Sequence, residues 1–90
     1  MKVVYNSLSV RFGLALRLRR LQMGISQEKL ADNIGMSRSY YWKIEHGKKN
    51  PQMDTIEKVC KGLDAEIWRI FKEAHDIKDP EKLAKELKER

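Results

Sequence analysis

Residues 24–47 have the sequence GISQEKLADNIGMSRSYYWKIEHG, and this stretch decides the fold. Ser26 can cap the backbone N–H groups of a helix that runs to about Ile34, and Gly35 can end that helix in the left-handed conformation. Ser37 can cap a second helix, which ends at the last glycine of the stretch. Because the connection is tight, the helices cross steeply and the start of the second can enter a DNA major groove. The stretch therefore predicts a helix-turn-helix motif and sequence-specific DNA binding.

Length and composition limit what else the chain can be. Ninety residues make one domain with one modest core, and 41% hydrophobic and 36% charged residues with two prolines favour a small all-α protein. No run of ~20 apolar residues could span a bilayer and residues 1–10 lack signal-peptide features, so we expect a cytoplasmic protein with no membrane contact. The single cysteine, Cys60, excludes an intramolecular disulfide and a cysteine cluster for zinc, and is interpreted as a buried apolar residue.

The net charge of +6 is concentrated in one half of the chain. Residues 1–50 contain ten Lys or Arg against three Asp or Glu, whereas residues 51–90 contain nine against ten. The excess coincides with the helix-turn-helix half, as expected if that half faces phosphates. Charge alone is also compatible with a solvated basic face, and the motif favours the nucleic-acid interpretation.

The remaining residues divide the chain into three parts. Residues 1–9 are predicted to form an N-terminal arm, residues 10–74 the DNA-binding domain, and residues 75–90 a helical extension. The first helix, from about Ser9 to Gly24, is amphipathic and has an arginine-rich outer face.

Three further helices follow the motif. Asp54 is the expected cap of a fourth helix, and Asp64 would end it in the left-handed region, which Asp enters more readily than most residues. A fifth helix covers roughly residues 66–74. The pair Asp79-Pro80 then provides a cap and a first-turn proline for a short final helix.

These residues resemble the phage repressor and Cro type of helix-turn-helix domain, also called the xenobiotic-response-element family. The resemblance covers about residues 12–71 and is carried by short motifs: Phe12-Gly13, Leu16-Arg17, Arg20, Gly24-Ile25-Ser26-Gln27-Glu28, Leu30-Ala31, Ile34-Gly35-Met36-Ser37, Ile44-Glu45-His46-Gly47-Lys48, Pro51 and Leu63. It implies a compact five-helix, lambda-repressor-like fold whose third helix binds the major groove of double-stranded DNA, commonly as a dimer. The short C-terminal helix is an addition to that fold, and we expect no cofactor and no metal.

The resemblance also implies which residues contact DNA. Gln27 would contact a phosphate and brace the third helix, and Ser37 would cap that helix and touch a phosphate. Arg38 and Ser39 would face base edges, where Arg38 can make the bidentate contact to guanine. The other predicted DNA-binding residues are Tyr40, Trp42 and Lys43 on the third helix and Lys48, Asn50 and Lys49 in the basic loop, which would contact the backbone.

Four residues near the third helix have other expected roles. Trp42 departs from the family pattern, and either pressing on a thymine methyl or sugar or packing over a neighbouring helix would explain it. Tyr41 is expected in the core, with its hydroxyl reaching the edge. Arg20 and Glu45 match an ion pair between the first and third helices in this family, a structural role.

Apolar residues of the last two helices predict the dimer interface, because a 90-residue domain has limited core in which to bury them all. These residues are Ile67, Trp68, Ile70, Phe71, Leu83 and Leu87. The alternative is that they complete the core of a monomer.

The sequence thus predicts a homodimeric transcriptional regulator that binds a palindromic operator. The main alternative is an antitoxin that uses the same domain to repress its own promoter and its C-terminal helices to bind a toxin. A protein-interaction module without DNA binding is a further alternative, and contact with RNA polymerase would make an activator. We expect no enzymatic activity, because His46 and His75 are far apart in sequence and no phosphate loop or metal-ligand spacing occurs.

Overall fold

The computed structural model describes residues 7–88, and within that range the chain forms six α-helices. They are α1 (Leu8–Met23), α2 (Gln27–Asn33), α3 (Arg38–Glu45), α4 (Met53–Gly62), α5 (Ile67–Asp76) and α6 (Pro80–Lys88). The described residues contain no strand, so the predicted all-α fold is confirmed. No helix between residues 7 and 88 has the length and apolar character needed to cross a membrane. Residues 1–6 of the predicted arm lie outside the described range, and its last two residues already belong to α1.

Serine and glycine residues set the bounds of the first three helices. The hydroxyl oxygens of Ser7, Ser26 and Ser37 accept hydrogen bonds from backbone N–H groups of the first turns of α1, α2 and α3, at 3.2, 3.0 and 3.1 Å. Gly35 has a φ of +66°, which glycine adopts without the steric cost of a Cβ, and this allows the tight turn between α2 and α3. The predicted helix-turn-helix motif is confirmed.

The later helices differ from the prediction at one cap. Gln52, and not Asp54, is the N-cap residue of α4, and Gln52 makes no side-chain capping bond. Asp54 lies instead in the first turn, where its carboxylate interacts favourably with the positive end of the helix dipole but does not cap the helix. Asp64 has the predicted left-handed conformation, with φ +52°. Asp79 caps α6 as predicted, because its Oδ1 accepts a hydrogen bond from the Lys82 N–H at 3.1 Å.

The first helix, α1, contacts α3, α5 and α6, while α2 packs on α3 and α4 packs on α5. Gly13 permits close contact between α1 and α3, since a Cβ there would overlap the carbonyl oxygen of Glu45 and lie 2.7 Å from that of Ile44. The apolar residues Ile56, Val59 and Cys60 of α4 are buried in the same core. Cys60 is 1% exposed, and burial raises the pKa of the thiol to about 11, so the thiol is protonated and unreactive at neutral pH.

Tyr41 lies in the core as predicted, but the position expected for its hydroxyl is wrong. The side chain is fully buried, and the hydroxyl has no hydrogen-bond partner among the described residues. It ends beside Arg20 and Glu45, whose charged groups are already bonded to each other. Burial, with the Glu45 carboxylate next in importance, raises the pKa of Tyr41 above its ordinary value, so this phenol stays protonated.

The arginines of α1 are mostly structural, and the predicted arginine-rich outer face is therefore wrong. The Arg11 guanidinium donates to the carbonyl oxygens of Ala74 at 2.9 Å and Ile77 at 2.8 Å, at the end of α5. Arg19 donates to the carbonyl oxygen of Asp64 at 3.1 Å, just after α4. These cations satisfy carbonyl groups that a helix leaves unpaired and lie at the negative end of the helix dipole.

The predicted dimer residues differ in how far their side chains are buried. Ile70 is fully buried in the core, and Leu87 is 6% exposed, so these two side chains complete the monomer instead of facing a second subunit. Phe71 stacks on Phe12 of α1 with 4.9 Å between ring centroids. Trp68 is 58% exposed, and the half-buried residues of the set are Ile67, Phe71 and Leu83.

Candidate nucleic-acid interface

The third helix, α3, has one buried and one exposed side. Tyr41, Ile44 and Glu45 are buried, whereas the exposed side consists of Arg38, Ser39, Trp42 and Lys43. Residues four apart are neighbours on a helix surface, so Arg38 lies next to Trp42 and Ser39 next to Lys43. The exposed side therefore combines a guanidinium, a hydroxyl, an aromatic ring and an ammonium, which are groups that can contact base edges and phosphates.

The start of α3 is fixed by its cap. Ser37 is exposed, and its hydroxyl is engaged by the Tyr40 N–H, while the Tyr40 side chain is half-buried against the core. Because the cap sets the first turn, it also sets the direction in which Arg38 leaves the helix.

The other end of α3 is held by a buried ion pair. Arg20 Nε lies 2.6 Å from Glu45 Oε2, Arg20 Nη2 lies 3.2 Å from Oε1, and Arg20 Nη1 donates to the Ile25 carbonyl oxygen at 2.9 Å. Burial alone would raise the pKa of Glu45, but hydrogen bonds, led by that from Arg20, outweigh it and lower the pKa below its ordinary value. The carboxylate is thus ionised and links α1, α3 and the start of the helix-turn-helix motif.

Gln27 joins the first residue of α2 to the same carboxylate. Its Nε2 donates to Glu45 Oε1 at 3.0 Å, and the side chain is half-buried. This contact joins α2 to α3, as expected if Gln27 braces the third helix. The contact of Gln27 with a phosphate remains a prediction.

The loop after α3 adds positive charge to the same region. Lys48 and Lys49 are exposed, and the Lys48 ammonium lies 5.7 Å from the centre of the Trp42 ring. The Oδ1 atom of Asn50 accepts a hydrogen bond from the Ser9 hydroxyl at 2.6 Å, so the loop is linked to the start of α1.

Two residues that the sequence analysis did not assign to the site, Arg17 and His46, lie against the exposed side of α3. Arg17 Nη2 is 2.6 Å from His46 Nε2, and His46 Nδ1 is 2.9 Å from the Trp42 carbonyl oxygen. The imidazole stacks on the Trp42 indole with 3.9 Å between ring centroids. Trp42 therefore packs on His46, the residue that follows its own helix. The spacing of four residues between Trp42 and His46 was the available sequence signal.

Comparison with known proteins identifies the domain. A helix-turn-helix family model matches residues 16–67, more than half of the chain. Control protein C.MunI of a Mycoplasma species is 37% identical over 67 residues, which are 73% of this chain and 90% of that protein. Within the described residues, no group of three side chains that could ligate a metal is present.

Solved structures show the same fold. The restriction-modification controller protein C.AhdI from Aeromonas hydrophila has a TM-score of 0.66 and 39% identity, over 68% of this chain and 92% of its own. The controller protein C.Esp1396I, solved as a tetramer with its natural 35-base-pair operator, has a TM-score of 0.67 and 26% identity, over 89% and 93%. The expected lambda-repressor-like fold is confirmed, and the chain belongs to the helix-turn-helix family of DNA-binding transcriptional regulators.

Proposed function

We propose that this regulator binds a partly palindromic operator as a homodimer, with α3 of each subunit in the major groove. The exposed side of α3 carries the proposal, because Arg38, Ser39, Trp42 and Lys43 share it while the opposite side is buried. An arginine on the first turn of such a helix can donate two hydrogen bonds to one guanine, and Lys43 is suited to a base or a phosphate.

The backbone contacts would come from the two ends of the helix-turn-helix motif. Gln27 contacts Glu45 at the end of α3, and the Lys48 ammonium lies beside the Trp42 ring. Lys49 is the next residue of the same exposed loop. Contacts with phosphates position a protein on the duplex without selecting a sequence. We therefore assign affinity to these flanking groups and base selection to α3.

A homodimer would place two recognition helices in successive major grooves, roughly 34 Å apart. The tetramer of C.Esp1396I on its operator supports assembly of subunits on DNA in a relative of this fold. For this chain we assign the subunit contact to Trp68, with the half-buried Ile67 and Phe71 beside it on α5. An exposed tryptophan flanked by apolar groups is typical of an interface centre.

The experiment that tests the proposal is selection from random duplex DNA with the purified protein at two salt concentrations. We expect enrichment of a two-fold-symmetric site. Weak, salt-sensitive binding without an enriched motif would contradict the proposal and favour a role that depends on a protein partner.

Replacing Arg38 with alanine should lower operator affinity by about 1–3 kcal/mol per half-site and relax selection of one base pair. The side chain is exposed, so the fold should be unaffected. Affinity is measured by titration of labelled operator and of unrelated duplex. The matched control is Lys49→Ala, which should weaken binding to both DNAs alike and reduce the salt slope by about one, the effect of one missing phosphate contact. Unchanged operator selection by Arg38→Ala would contradict the assignment of α3.

Replacing Trp68 with alanine should shift the monomer–dimer equilibrium toward monomer by about tenfold or more, the effect expected at an interface centre. Sedimentation velocity at several protein concentrations measures the shift. Met53→Ala is the control, because Met53 is more exposed, at 77%, and lies on α4. Equal dimerisation of Trp68→Ala and the unmodified protein would exclude this part of α5 from the interface.

A further inference from the structure

Trp42 is held in one orientation by a chain of contacts that begins on α1. Arg17 lies on α1, with its side chain only 13% exposed, and its Nε is also 3.5 Å from Glu45 Oε1. Its Nη2 contacts His46 Nε2 at 2.6 Å, and the His46 ring covers the Trp42 indole at 3.9 Å. The indole nevertheless remains 39% exposed on the side of α3 that carries Arg38. A large exposed aromatic ring is thus fixed at the centre of the proposed DNA-binding surface.

This arrangement requires a neutral imidazole with its proton on Nδ1. A guanidinium has only hydrogen-bond donors, so His46 Nε2 must be the acceptor in its contact with Arg17. The Trp42 carbonyl oxygen is an acceptor, so His46 Nδ1 must carry the hydrogen in the other contact. Both contacts are satisfied only by this tautomer.

Protonation of His46 would place a hydrogen on Nε2, where the imidazolium would face the Arg17 guanidinium. The charged groups that face the ring are Arg17 from α1, Glu45 from α3 itself and Lys48 from the following loop. Burial has the largest effect on this imidazole and lowers the pKa of His46, and the Arg17 charge lowers it further. The hydrogen bond to the Trp42 carbonyl raises the pKa, but the net result lies below the ordinary 6.5. In acid the hydrogen bond from Arg17 to His46 is therefore lost, and repulsion between the guanidinium and the imidazolium favours movement of the ring away from Arg17.

We propose that Arg17 and neutral His46 are positioning residues that hold Trp42 for an apolar contact with a thymine methyl group of the operator, and that protonation of His46 weakens this contact. The inference rests on the proposed function of α3. The thymine methyl is the apolar group that base pairs present in the major groove, and an indole edge offers an apolar surface to it. Specific binding then depends on pH, whereas binding to phosphates does not need the tryptophan.

The test measures the affinity for operator DNA and for unrelated duplex DNA between pH 8 and pH 5, and the affinity ratio is the first divided by the second. Circular dichroism at each pH shows that the protein stays folded. Because the His46 pKa is lowered, the affinity ratio should be constant above pH 6.5 and should fall below it, by about fourfold per half-site, the effect of one buried methyl-sized group. Affinity for unrelated duplex should stay constant or rise, because an imidazolium adds positive charge near phosphates.

Variants and modified DNA separate positioning from a general effect on stability. His46→Gln cannot titrate, so its affinity ratio should not change with pH. Trp42→Ala should have a low ratio at every pH. Replacing the contacted thymine by deoxyuridine, which lacks the methyl, should reduce the ratio of the unmodified protein to that of Trp42→Ala and leave Trp42→Ala unchanged. Each of three results would overturn the inference. The affinity ratio of the unmodified protein does not change with pH, or the pH dependence persists in His46→Gln, or deoxyuridine substitution lowers the ratio equally in both proteins.

A second readout needs no DNA. In a Trp68→Phe background, Trp42 is the remaining tryptophan, and an indole that loses its stacked neighbour becomes more exposed to water. Its emission maximum should move to longer wavelength with a midpoint below pH 6.5, and this titration should be absent in His46→Gln. If random-duplex selection yields no operator while this titration is present, the proposed function fails although the His46–Trp42 contact stands. If an operator is selected but emission does not titrate, the inference alone fails.

Discussion

Replacing Glu45 with alanine should destabilise the protein by about 3–5 kcal/mol, the largest effect of any single substitution that we predict. The Glu45 side chain is fully buried and accepts two hydrogen bonds from Arg20 and one from Gln27. Alanine leaves the Arg20 charge in a site that is 8% exposed, without its carboxylate and away from water. The free energy of unfolding is measured by urea titration, and a decrease below 1 kcal/mol, roughly the value of an exposed pair, would contradict the buried character of this pair.

The matched control removes both charges together. In the double variant Arg20→Met, Glu45→Leu, no uncompensated charge is buried, so the free energy of unfolding should be higher than that of Glu45→Ala. This comparison separates the cost of an unpaired arginine from the cost of a changed core shape. Equal destabilisation of the single and double variants would show that shape dominates.

Replacing Gly13 with alanine should cost about 3 kcal/mol, at the upper end of the range for overpacking. The new Cβ would meet backbone carbonyl groups of Ile44 and Glu45, which cannot turn aside as a side chain can. Helix α1 would have to move away from α3, at the place where the ion pair and the recognition helix are anchored. Thermal and urea unfolding measure the destabilisation, and because a domain of this size has roughly 5–13 kcal/mol of stability, the variant should still be folded at 25 °C.

Gly62→Ala is the matched comparison for Gly13→Ala. Gly62 is also helical, but its Cβ would meet the side-chain atoms Cγ2 of Ile34 at 2.5 Å and Cδ1 of Leu30 at 3.0 Å and no backbone atom. Both substitutions add a Cβ to a helix, so the difference between them compares overlap with backbone carbonyl groups and overlap with side chains. Gly62→Ala should change the free energy of unfolding by about 1 kcal/mol or less, and a larger destabilisation than that of Gly13→Ala would refute our explanation.

The helices of this fold were largely predictable because the signals that start and end them are local. A serine cap and a glycine at the end of a helix act over four or five residues, and the apolar stripes of α3 and α4 have helical spacing. The error at Asp54 has the same origin, since a carboxylate is favourable both at the cap and in the first turn. Sequence alone does not decide between two such positions within one turn of each other.

The partners of the α1 arginines and the fate of the C-terminal apolar residues were not predictable in this way. Arg11 contacts residues more than sixty positions away, and no periodicity in the sequence indicates that contact. Ile70 and Trp68 lie two residues apart with similar apolar character, and only the packing of α5 against α1 places one inside and the other outside. Contacts between distant residues thus decided which predicted site residues stayed on the surface.

The use of arginines at the ends of α4 and α5 bears on how the protein responds to ionic strength. Between residues 7 and 50, the exposed cationic side chains are Lys29, Arg38, Lys43, Lys48 and Lys49. Each cation that neutralises a phosphate displaces a condensed counterion and adds roughly 0.9 to the slope of log affinity against log salt. The exposed cations between residues 7 and 50 can therefore contribute a slope of about 4.5 per subunit. A sequence count that included the α1 arginines would nearly double that slope.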